Sequence, residues 1–164
     1  MNFEHSSFCE ANLHRANISY TSFHDCRFLK ANLSEAQISW TDIYSSDFKE
    51  VNLNKAFISH TEINDSDFQK ANLVEINICK TEINDSDFKG GNLSESDISY
   101  TEINRSDFKN TDMGNSIILF STVNSSDFEN VNFIDTCVFS TDFNQCILHE
   151  SYSNSPHLQD IGET

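Results

Sequence analysis

Basic residues are scarce in this 164-residue chain. Ten Lys and Arg stand against 26 Asp and Glu, a formal net charge of −16. So little positive charge excludes direct binding to nucleic acid backbones or anionic lipid surfaces. Long apolar runs are also missing. No stretch reaches the roughly 18 residues of a membrane-spanning helix. The opening MNFEHSSF has neither the charged nor the apolar region of a secretory signal. Glycine occurs four times and proline once, at Pro156, so no Gly-rich phosphate loop is available. The five cysteines (Cys9, Cys26, Cys79, Cys137 and Cys146) are odd in number and never in CxxC spacing. Neither a disulfide framework nor a zinc site is expected, and a reducing cytoplasm is the natural compartment. Apolar residues make up only 37%. A core is possible only if they are placed with economy.

They are. Every fifth residue from Phe3 to Leu148 is apolar, without exception. Two residues before each centre from Phe8 to Leu148 stands a small one, as in Ala11, Ala16, Thr21 and Cys26; only Val51, Ile76 and Val131 exceed threonine in size. A period of five suits neither a helix nor a flat strand. It suits a chain that turns a corner every five residues and points one large and one small side chain inward from each side. A longer period is superposed. TEINDSDF occurs at 61–68 and again at 81–88, and TEINRSDF follows at 101–108. Twenty residues therefore make one four-sided coil. The centres sort into columns: Leu33, Leu53, Leu73; Ile38, Ile58, Ile78; Ile43, Ile63, Ile83; and Phe48, Phe68, Phe88. Stacked coils pair like strands about 4.8 Å apart, each covering the next.

The pentads ANLSE, ANLVE, SDFKE and SDFQK resemble those of the pentapeptide-repeat proteins. The resemblance spans residues 1–150 and implies an all-β fold, a right-handed quadrilateral β-helix of about seven coils. Residues 151–164, with Ser153 at a centre position, read as a short C-terminal cap or tail.

With the core assigned, function must lie on outward residues. The first candidate is an acidic stripe. Glu62, Glu82 and Glu102 stack in one column that Asp42 extends. Asp65 and Asp85 stand at the next corner, and Asp47, Asp67, Asp87 and Asp107 beyond it. The two middle coils show three acids each, about one charge per 1.6 Å, close to the roughly 1.7 Å of duplex DNA. Part of this acidity comes with the repeat, which favours Asp or Asn before the centre. Lys49, Lys89 and Lys109 also offset part of it. Yet like charges on adjacent strands are destabilising, and neutral Asn was available. The second feature is an outward aromatic column: Tyr20, Trp40, His60, Tyr100 and Phe120. Stacking alone would account for it; a partner strip is the alternative. The third is an apolar patch of Ile117, Leu119, Phe120, Ile134, Cys137 and Phe139, covered either by the tail or by a second subunit.

The six histidines occupy different columns, and no catalytic triad or nucleophile elbow is present. No enzyme, metal or cofactor is expected. The family resemblance implies a DNA mimic, dimeric through its C-terminal coils. Such a protein would bind DNA gyrase or topoisomerase IV and modulate it or protect it from quinolones. The alternative is a rigid interaction scaffold for another protein.

Overall fold

The computed structural model describes residues 1–154. They form a right-handed quadrilateral β-helix with no helical segment. One side carries an eight-stranded parallel sheet running from Asn2–Glu4 to Asp142–Asn144, and the next side a six-stranded one from Gln37–Ser39 to Cys137–Phe139. Eight passes over the first side agree with about seven full coils and a partial one. Neighbouring strands pair residues twenty apart, as in Ile43↔Ile63, Ile63↔Ile83 and Ile83↔Ile103. The expected tail begins at 151, yet Tyr152–Ser153 still pair with Asn132–Phe133. Its remainder, 155–164, lies outside the described residues.

The four sides are not equivalent, and local chemistry explains why. On the SDF and ANL sides the pairing is mostly by single bridges, such as Asp67↔Asp87 and Asn52↔Asn72, the Asn132–Phe133 pair being the exception among the described residues. There the Asp or Asn Oδ1 accepts the N–H two residues on, as Asp67 does from Gln69 at 3.0 Å. That contact tightens the backbone into a turn. A backbone bond then closes the corner, for example Ala71 N–H to the Phe68 carbonyl at 3.0 Å. On the other two sides the strand runs into the corner without such a bond. Here the small inward residue is Ser, Thr or Cys. Its side chain donates to the carbonyl two residues back: Thr61 to Ser59 at 3.1 Å, Ser66 to Asn64 at 2.8 Å. Cys26 takes the same role towards His24 at 3.4 Å. Each such buried bond is worth about 1 kcal/mol. Donor-bearing small residues thus fill these two corners throughout, while the corners after the ANL and SDF sides mix apolar residues such as Ala36 and Ala71 with Ser96, Thr111, Ser116 and Thr136.

Every corner residue, from His5 to Glu150 in steps of five, has a positive φ. Values run from +47° to +60° at non-glycine corners and reach +66° at Gly90. A left-handed residue costs about 1–2 kcal/mol when it is not glycine, so the coil closes only because stacking offsets a repeated strain. The stacking is dense. Phe48, Phe68, Phe88, Phe108 and Phe128 are buried and lie ring on ring at 4.8–4.9 Å.

Candidate functional site

The eight-stranded side positions the acids. Asp42, Glu62, Glu82 and Glu102 are exposed and sit in direct register on consecutive strands. Strand alternation forces this: Ile43, Ile63, Ile83 and Ile103 point inward, so their neighbours point out. The next strand along carries Thr122 at this position, ending the glutamate run.

Most of the other acids are engaged, Asp47 by the Lys49 N–H at 3.0 Å, while Asp65 stays exposed at its corner with no ion pair among the described residues. Asp67, Asp107 and Asp127 receive Lys49, Lys89 and Lys109 at 2.7, 2.9 and 2.9 Å, each lysine reaching across to the following coil. Gln69 donates to Asp87 at 2.6 Å. At the corner, Arg105 forks onto Asp85 through two bonds of 2.8 and 2.7 Å, and this guanidinium holds the Asp85 carboxyl below its usual range. Facing carboxylates push the Lys49 and Lys89 ammonium groups up. Asn64, Asn84, Asn104, Asn124 and Asn144 form an amide ladder of 2.8–3.0 Å, a purely structural use of an outward position.

Among the described residues, no cation stands within ion-pair distance of Asp42, Glu62, Glu82 or Glu102. Glu62 accepts the Tyr44 hydroxyl at 2.7 Å and Glu102 the Asn104 amide at 3.1 Å. The Glu62 bond and burial raise the Tyr44 phenol to about 12. Tyr44 should therefore titrate about two units above an ordinary tyrosine at 10.0. Ultraviolet titration at 295 nm should show that phenol moving down in Glu62→Gln. An unchanged alkaline titration would mean the bond does not form.

Beside this column runs the aromatic corner. Trp40 and His60 stack with centroids 4.1 Å apart and planes 13° apart; Tyr20 lies 6.4 Å beyond Trp40. Between the aromatic and acidic columns is a shallow groove of about 380 Å³, bordered by Trp40, Asp42, His60, Glu62, Lys80 and Glu82. The apolar patch lies elsewhere on the rod. Ile117, Phe120, Cys137 and Phe139 are exposed on the six-stranded side, with Ile117 opposite Cys137 and Phe120 edge-on to Phe139 at 5.7 Å. Leu119, expected to face outward, is half-buried, because in the strand ladder it sits between Ser99 and Phe139. Ile134 is exposed around the preceding corner. Ile147 and Tyr152, exposed near the same end, were not anticipated, since they lie beyond the 117–139 stretch that carries the expected patch.

No group of His, Cys, Asp and Glu among the described residues could hold a metal ion.

A family model for pentapeptide repeats matches the chain in eight copies, among them residues 1–34, 11–49 and 31–69. No curated protein matches by sequence. Two solved structures are similar in fold. One is HetL, involved in heterocyst differentiation regulation, from the cyanobacterium Nostoc sp. strain PCC 7120. It is 14% identical, with 92% of this chain and 86% of that one covered and a TM-score of 0.51. The other is a trypsin-treated form of QnrB1, a plasmid-mediated fluoroquinolone resistance protein. It is 13% identical, with 99% and 94% covered and a TM-score of 0.55. At such identities the likeness concerns architecture alone. The repeated pentads, the four-sided coil and these matches agree: the chain belongs to the pentapeptide-repeat family.

Proposed function

We propose that this protein is an acidic binding rod, not an enzyme, whose exposed carboxylate column occupies the DNA-binding surface of a type II topoisomerase. DNA gyrase is the first candidate and topoisomerase IV the second. The observation that carries this is the run of Asp42, Glu62, Glu82 and Glu102. These acids repel one another across adjacent strands, and no cation among the described residues pairs with them. Nothing in the core requires them. A basic surface shaped for duplex phosphates supplies the missing charges and attracts the rod at long range. The fold shared with QnrB1, a fluoroquinolone resistance protein, supports the choice of partner. A supercoiling assay with purified gyrase, with and without a quinolone, tests it. Inhibition or protection at micromolar protein is expected; neither effect would sink the reading.

The apolar patch favours a second element, a homodimer formed through the C-terminal coils. Phe120, at 46% exposure, and Phe139, at 56%, are rarely left to water in such proximity. Phe120→Asp should halve the mass in light scattering. A mass equal to that of the unmodified protein would assign the patch to another role.

A further inference from the structure

We infer that the groove between Trp40 and Glu82 seats an arginine side chain of the protein partner. The inference rests on the reading of the chain as a binder of basic protein surfaces, but not on which protein that is.

Charge complementarity comes first. Elsewhere on the rod, lysines at comparable axial offsets close onto acids of the next coil, as Lys30 does on Glu50 and Lys55 on Glu75. Lys80 borders the groove, yet it pairs with neither Glu62 nor Glu82. Three carboxylates, Asp42, Glu62 and Glu82, therefore line one wall of the groove against a single ammonium, that of Lys80, which forms an ion pair with none of them and leaves the groove net negative. The second observation is independent of charge. The opposite wall is the Trp40–His60 stack, and Trp40 keeps 53% of its surface exposed. A cation over an indole face is attracted by its quadrupole, most strongly at tryptophan. The third is at the base of that wall. The His60 Nδ1 is buried with no hydrogen-bond partner among the described residues, so the imidazole is held by its stacking on Trp40 and not by a polar tether.

These features select arginine over lysine. A guanidinium is planar, weakly hydrated and able to lie on an aromatic face while its edge donates a fork of hydrogen bonds to a carboxylate. Carboxylates on adjacent strands, about 4.8 Å apart, can flank one such group. An ammonium gains the charge but neither the stacking nor the fork.

Trp40 is the sole tryptophan, so its fluorescence reports on the groove directly. A hexa-arginine peptide should change its emission saturably at physiological salt. A hexa-lysine peptide of equal charge should bind about tenfold more weakly, the ratio that stacking at a partly desolvated site provides. Glu62→Gln/Glu82→Gln should weaken arginine-peptide binding about tenfold. Glu50→Gln/Glu75→Gln, whose carboxylates already hold Lys30 and Lys55, should leave it unchanged. Equal affinity for the two peptides, or equal losses in both variants, would reduce the effect to diffuse charge attraction and overturn the inference. The supercoiling assay separates the two readings. Peptide binding without any effect on gyrase removes the topoisomerase and keeps the groove. Gyrase inhibition without arginine selectivity does the reverse.

Discussion

Phe88→Ala should lower the unfolding free energy by about 3–5 kcal/mol, the range for a large buried aromatic truncated in a core that cannot collapse. Phe88 is 2% exposed and lies between Phe68 and Phe108, each at 4.8 Å and within 4° of parallel. Removing the ring forfeits its transfer free energy, about 1.5–3 kcal/mol. Two ring contacts go with it, each worth about 0.5–1.5 kcal/mol. The walls cannot move in to compensate, because every side of the coil is tied to the coils above and below by backbone hydrogen bonds. The position along the rod adds a further expectation. In a solenoid each coil is stabilised by its neighbours alone, so a defect in a central coil weakens the coupling between two halves. Phe3, half-buried in the first coil, should cost distinctly less when truncated to Ala. Urea denaturation of both variants decides this. Equal losses at the two positions, or a loss below about 1 kcal/mol at Phe88, would contradict the stacked-core account.

Charge reversal of Glu62 and Glu82 to lysine should abolish the effect on the topoisomerase, raising the half-maximal concentration about 100-fold. Each reversal replaces an attraction to the basic surface with a repulsion, and like-charge contacts at an interface cost several kcal/mol. The milder Glu62→Gln/Glu82→Gln pair carries a second, opposite expectation. Two unit charges about 4.8 Å apart repel by about 0.9 kcal/mol in water. Neutralising both removes three such contacts, Asp42–Glu62, Glu62–Glu82 and Glu82–Glu102, and should make the protein more stable while making it bind less well. Added salt should shrink that gain in stability, since exposed charges are screened. A binding loss accompanied by a stability loss would instead point to damaged structure. Binding that survives charge reversal would remove the carboxylate column from the mechanism.

Much of the site was visible in the letters. The column of Asp42, Glu62, Glu82 and Glu102 follows from a period of twenty, and so does the aromatic corner of Trp40 and His60. What could not be read was which acids were spoken for. Lys49 stands two residues from Asp47 in sequence, yet it pairs with Asp67. That choice depends on how far a lysine stem reaches across coils, and spacing along the chain does not encode it. Asn64, which faces outward like the acids, turned out to be one rung of an amide ladder. The hydroxyls of Thr61 and Ser66 looked like size restrictions. They are also hydrogen-bond donors at the two corners that lack a backbone closure.

The sequence by itself determined the coil. A strict five-residue alternation of large and small inward residues has one economical solution, a four-sided column, because burial allows no other period for that pattern. The tertiary structure alone decided which charges are left over and where they meet an aromatic wall. Those are properties of distances between coils, fixed only when residues twenty apart are brought into contact.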